Sequence, residues 1–129
     1  MYQVSKRMEI AGAHNLALPY ESKCGNMHGH NWIVVVYCVS DELTDYGMVI
    51  DFKKIKELVH DKLDHKYINN ELPDINPTAE NIAKWIHDVV DAECGKGFCN
   101  KVTVQESEGN VAAYIDPRWV YFDKGQDVM

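Results

Sequence analysis

The run Trp32-Ile-Val-Val-Val-Tyr-Cys-Val39 constrains the chain more than any other segment. It is far too short to span a membrane, and its branched and aromatic residues read as a β-strand. His28-Gly-His30 stands almost directly before it. Strand residues two apart share a face, with Cα atoms roughly 6–7 Å apart, so the two imidazoles can hold one ion from one side. A third imidazole from a neighbouring strand leaves a tetrahedral zinc one open position, as in catalytic rather than structural sites.

His14 is the candidate third ligand. From Val4 to His14 one parity reads Val4, Lys6, Met8, Ile10, Gly12, His14, an imperfect alternation that predicts a strand with one buried face. Asn15 to Gly25 is a loop, the second strand runs from about His28 to Val39, and Asp45-Tyr-Gly47 marks a turn. Asp51 can cap a helix with the stripe Phe52, Ile55, Leu58, Val59 and Leu63. After Pro73 and Pro77, Thr78 can cap a second helix with Ile82, Trp85, Ile86, Val89 and Val90 inward, ending near Gly95. Val102, Val104 and Glu106 share one strand parity, and a turn at Glu108-Gly-Asn110 leads to a partner strand over about Val111–Asp116. The order β-β-α-α-β-β predicts an α+β fold, an antiparallel sheet covered by helices on one face.

The length of 129 residues predicts a single domain over 1–129. A formal charge of −7 argues against nucleic acid as partner, because that partner requires a basic footprint. With neither an export signal nor a membrane span, cytoplasmic residence is expected, and Cys24, Cys38, Cys94 and Cys99 are expected as free thiols. Cys94 and Cys99, with no histidine close by, make only a weak zinc signal.

Cys24 lies in a polar loop beside Lys23, close in sequence to the histidine pair, where positive charge favours a thiolate. Asp64-His65 is either the decoration of a helix end or an oriented acid–base pair. Glu106 continues the Val102, Val104 face, where an unpaired carboxylate is costly. Either a basic side chain satisfies it, or a ligand with adjacent N–H donors does so in the fork geometry that pairs arginine with carboxylate.

Six stretches, in order from residue 13 to 107, carry a resemblance. They are Ala13-His14-Asn15-Leu16, Cys24-Gly-Asn-Met-His28-Gly-His30, Met48-Val-Ile-Asp51-Phe52, Leu63-Asp64-His65-Lys66-Tyr67-Ile68-Asn69, Asn76-Pro77-Thr78-Ala79-Glu80-Asn81 and Val104-Gln105-Glu106-Ser107. Together they resemble the 6-pyruvoyltetrahydropterin synthase family, most of all its short bacterial branch that forms 6-carboxy-5,6,7,8-tetrahydropterin for queuosine biosynthesis. The resemblance implies Zn2+ on His14, His28 and His30, Cys24 as catalytic thiolate, and Asp64 and His65 as its acid–base partners. It makes Glu106 the anchor of the pterin's amino-pyrimidine edge, with Thr78 and Glu80 near the same pocket.

The implied fold is the tunnelling fold, assembled into a homohexamer of two stacked trimers with active sites between subunits. The implied substrate is 7,8-dihydroneopterin triphosphate, which loses triphosphate and then acetaldehyde, with no redox cofactor. No triphosphate site is legible in the sequence; Lys23, Lys53 and Lys54 are candidates, and solvated surface is the commoner role for such lysines. Three alternatives stand beside this reading. One stops at triphosphate elimination to give 6-pyruvoyltetrahydropterin, and the turn Ser107-Glu108-Gly-Asn110 resembles that branch. Another forms 6-hydroxymethyldihydropterin, though members doing so usually carry Glu where this chain has Cys24. The last is a non-catalytic metal- or pterin-binding module.

Overall fold

The computed structural model describes residues 1–120; residues 121–129 of the expected 1–129 domain lie outside them. Strands β1 (Tyr2–His14) and β2 (His28–Ser40) form an antiparallel pair in unbroken register, from Tyr2 opposite Ser40 to His14 opposite His28. Short helices α1 (Phe52–Leu58) and α2 (His60–Leu63) follow, then β3 (Lys66–Tyr67), α3 (Ile68–Glu71) and the long helix α4 (Ala79–Asp91). Strands β4 (Phe98–Ser107) and β5 (Asn110–Ile115) complete a five-stranded sheet in the order β3-β1-β2-β4-β5.

The expected α+β class is observed, and the alternation that predicted it is the alternation that packs. Met8, Ile10, Trp32, Val34, Val36, Val102 and Val104 are buried on one face of the sheet. Helix α4 lays Ile82, Ala83, Ile86 and Val90 into the same core, and α1 and α2 add Ile55, Val59 and Leu63. Each such large side chain contributes about 1.5–3 kcal/mol when fully buried. Thr78 caps α4 as predicted, its Oγ1 accepting from the Asn81 N–H at 3.1 Å, a cap contributing about 1 kcal/mol.

Several details differ from the sequence expectation. The single helix expected over 52–63 breaks at Val59 (φ −117°, ψ −66°); Ile55, Val59 and Leu63 are buried in the core and Leu58 packs against it, while Phe52 is 48% exposed. Asp51 does cap its start, accepting from the Lys53 N–H at 2.9 Å. Helix α4 ends at Asp91 rather than at Gly95, which sits at φ +58° in the turn that follows. Strand β4 starts at Phe98, and Gly97 before it is required: a Cβ there would lie 2.1 Å from the Val39 carbonyl oxygen. The stretch from Leu63 to Asn69, expected from the sequence to end the helix begun at Phe52, instead holds β3 and the start of α3. Strand β3 pairs with β1 in parallel at Gly12 and Ala13 only.

The far end of β5 is pinned by charge. Buried Asp116 accepts from Arg118 Nη2 at 2.7 Å, Arg118 Nε at 2.9 Å and the His87 ring at 2.8 Å. Arg118 holds the Asp116 carboxyl well below the usual carboxylate range. No helix among the described residues is long and apolar enough to cross a membrane.

Candidate metal centre and active site

The register of β1 and β2 places the three histidines together. His14 lies directly opposite His28, and Gly12 opposite His30. Side chains on opposed residues share a face, so all three rings meet at the end of the core face, with centroids 4.5, 4.8 and 5.1 Å apart. Trp32 packs edge-on against His14 and His30 from the core side. Gly12 leaves room for that indole, since a Cβ there would lie 3.1 Å from the Trp32 ring.

Hydrogen bonds fix two of the tautomers. Fully buried His14 donates from Nδ1 to the Pro77 carbonyl at 2.8 Å, and His28 donates from Nδ1 to the Asn26 carbonyl at 2.7 Å. Their Nε2 lone pairs are left for the site. The Nε2 atoms of His14 and His30 are buried and make no hydrogen bond. Burial lowers the pKa of both rings, which favours the neutral form that coordinates metal. One ligand atom from each ring lies within 4.8 Å of the other two, a small inward shift from the ~2.0–2.1 Å Zn–N contacts of a three-histidine centre. The donor set, the orphaned nitrogens and the carbonyl partners fit a metal ion.

Glu106 flanks this cluster. A bulge between Gln105 and Ser107 re-aims the strand here, and Glu106 Oε1 stands 3.4 Å from His14 Nε2 and 3.5 Å from His30 Nε2. Among the described residues no lysine or arginine pairs with it, and its basic neighbours are the imidazoles of His14 and His30. Glu106 and Glu80 line one cleft of about 490 Å³ with the Gly109–Ala113 hairpin. The Thr78 hydroxyl is occupied by its helix cap.

Cys24 lies in a single 3-10 turn, Lys23–Gly25, half-buried, with its N–H donating to Ser22 Oγ at 3.2 Å and its carbonyl accepting from the Leu16 N–H at 2.7 Å. Asp64 and His65 are pinned to β1 three residues before His14. Asp64 Oδ1 accepts from the Ala11 N–H at 2.9 Å, and the His65 N–H donates to the Ala11 carbonyl at 2.6 Å. The His65 ring lies 3.4 Å from Asp64 Oδ2 and is 82% exposed, on a backbone at φ +58°. Strained backbone at a non-glycine residue is a recurrent mark of functional sites. No hydrogen bond or ion pair links Cys24 to Asp64 or His65 among the described residues.

Other candidates fall elsewhere. Lys53 and Lys54 line a cleft of about 580 Å³ with Ser40, at the opposite end of β2 from His28, roughly 40 Å away at ~3.3 Å per residue. They cannot serve the histidine end of the same chain. Cys94 and Cys99 are buried free thiols, Cys94 lying 3.6 Å from Cys38. His87, Asp91 and Asp116 also cluster, but Arg118 donates to both carboxylates and supplies the positive charge there. The sequence reading missed the Pro77 and Asn26 carbonyls that orient His14 and His28. Backbone acceptors leave no residue-type signal.

Comparison with known proteins places these residues in context. The sequence model of the family described as 6-pyruvoyl tetrahydropterin synthase matches residues 3–117. The chain is 36% identical over 126 residues to a 6-carboxy-5,6,7,8-tetrahydropterin synthase of Synechocystis sp., covering 92% of this chain and 96% of that protein. It is 33% identical over 130 residues to the 6-pyruvoyl tetrahydrobiopterin synthase of Homo sapiens, covering 87% and 90%. Among solved structures, the Caenorhabditis elegans 6-pyruvoyl tetrahydropterin synthase superposes with a TM-score of 0.71 at 25% identity, over 89% of this chain and 95% of that one.

Proposed function

This chain belongs to the 6-pyruvoyl tetrahydropterin synthase family, and on that premise we propose that it is a zinc-dependent lyase converting 7,8-dihydroneopterin triphosphate and water to 6-carboxy-5,6,7,8-tetrahydropterin, triphosphate and acetaldehyde. The observation that carries the reading is the convergence of three imidazoles beside Glu106, a carboxylate with no lysine or arginine partner among the described residues.

Zinc held by His14, His28 and His30 supplies Lewis-acid acidification of a C–H on the hydroxylated side chain. The Glu106 carboxylate accepts paired N–H donors from the amino-pyrimidine edge and so sets which carbon faces the site. Glu80, on the same cleft, and Thr78, at the head of α4, complete the pocket. The Cys24 thiolate removes the proton, and His65, oriented by Asp64, returns one elsewhere on the side chain.

The active site is shared between subunits of a homohexamer, a dimer of trimers. Three features support this assembly. No hydrogen bond or ion pair joins Cys24 to Asp64 or His65 among the described residues. Among the described residues the outer edge of β1 carries only the two-residue β3, and the outer edge of β5 carries no strand, so both invite pairing. The helix-free face presents Ile33, Val35 and Tyr37, half-buried, beside exposed Val111 and Ile115. A second reading, triphosphate elimination alone, is favoured by the comparable identity to the human 6-pyruvoyl enzyme.

Glu106→Gln tests the substrate class. A bidentate charged pair contributes about 1.5–3 kcal/mol, so the affinity for 7,8-dihydroneopterin, titrated by fluorescence, is expected to fall about 10- to 100-fold. Metal content is expected to stay at the wild-type level. Unchanged pterin affinity contradicts the assignment of Glu106.

A further inference from the structure

Two asparagines with no part in the chemistry above grip the backbone that follows His14. Asn69 Oδ1 accepts from the Asn15 N–H at 3.0 Å while its Nδ2 donates to the Asn15 carbonyl at 2.9 Å. Asn76 does the same to Ala17, at 2.8 and 3.1 Å. A carboxamide presents one acceptor and one donor at the spacing of a peptide group, so each asparagine pairs with the loop as a strand neighbour would. The Tyr67 hydroxyl donates to the Asn15 side chain, and Asn76 is tied by its own carbonyl to Asn81 Nδ2 in the first turn of α4.

Leu16 lies between the two gripped residues, and its N–H donates to the Cys24 carbonyl at 2.7 Å. Pro77, next to Asn76 in the chain, supplies the carbonyl that orients His14. These hydrogen bonds, joined by the peptide bonds between neighbouring residues, link Asn69 and Asn76 to the turn bearing Cys24 and to buried His14. We propose that Asn69 and Asn76 are positioning residues that set the placement of the Cys24 thiol relative to the three-histidine centre. The inference rests on the reading of Cys24 as the reactive thiol.

The variants are Asn69→Ala and Asn76→Ala, singly and together, and Asn69→Asp and Asn76→Asp, which keep the acceptor of each clamp and lose the donor. The first readout is the iodoacetamide alkylation rate of Cys24, taken from the mass of its peptide; Cys38, Cys94 and Cys99 are buried and react slowly. The second is the split of turnover into kcat and KM. Since an ångström of misplacement costs on the order of a hundredfold in rate, the alanine variants are expected to lose at least about tenfold in kcat with KM little changed, and to gain about fivefold or more in alkylation. The aspartates are expected to fall between alanine and wild type, and wild-type metal content and far-UV circular dichroism in each variant separate a local displacement from a general loss of stability. Wild-type alkylation and kcat in the double alanine variant overturn the proposal, as does a loss in which alanine and aspartate are equal. Should the double variant not fold, the single variants decide by the same ordering. If the wild-type chain converts no pterin, alkylation alone decides: an altered rate supports the clamp and an unaltered one removes it, whatever the fate of the proposed activity.

Discussion

Cys24→Ala is expected to lower the turnover of 7,8-dihydroneopterin triphosphate by about 10²–10⁴-fold, the range contributed by a positioned proton-transfer group. The same variant is expected to bind metal and pterin as the wild type does. The thiol is half-buried in a three-residue turn and its side chain makes no hydrogen bond among the described residues, so truncation leaves no cavity in the core and no orphaned partner. The turn itself is held through backbone atoms, by Ser22 Oγ and the Leu16 N–H, which the substitution leaves in place. A steady-state assay beside a metal and pterin titration separates the outcomes. Full turnover in Cys24→Ala removes the thiol from the mechanism, and lost metal binding assigns it a structural role instead.

His28→Ala is expected to weaken metal binding by about two to three decades. Structural zinc sites with four ligands bind with roughly 10–16 kcal/mol, so each ligand accounts for about 2.5–4 kcal/mol. His28 is the informative choice because it is only partly buried; His14 is fully buried, and its removal also disturbs packing against Trp32. Competition with a chromophoric chelator measures the change. Unaltered affinity with folded protein places the metal elsewhere.

What the sequence made legible is what local rules control. The parity of Met8, Ile10 and His14 and that of His28, His30 and Trp32 fix which residues share the core face once the two strands pair. Thr78 and Asp51 announce helix starts through side chains that accept from the first-turn N–H groups. Segments shorter than a period carry no such signal. The two-residue β3 and the four-residue α3 show no pattern, and the break at Val59 falls inside a stripe that reads as one helix.

At the site, the approach of Glu106 to His14 and His30 depends on a bulge that alternation does not predict. The asparagine clamps join positions more than fifty residues apart through backbone atoms, which residue spacing does not record. That no hydrogen bond or ion pair joins Cys24 to Asp64 or His65 among the described residues is a tertiary fact of another kind.

The most direct measurement is the identity of the product. Zinc-loaded protein is incubated anaerobically with 7,8-dihydroneopterin triphosphate, the pterin is identified by mass, and acetaldehyde is trapped. The account predicts 6-carboxytetrahydropterin with acetaldehyde released. The 6-pyruvoyl compound without acetaldehyde keeps the roles of the histidines and Cys24 but contradicts the carbon–carbon cleavage. No conversion by metal-replete, folded protein contradicts the enzyme itself.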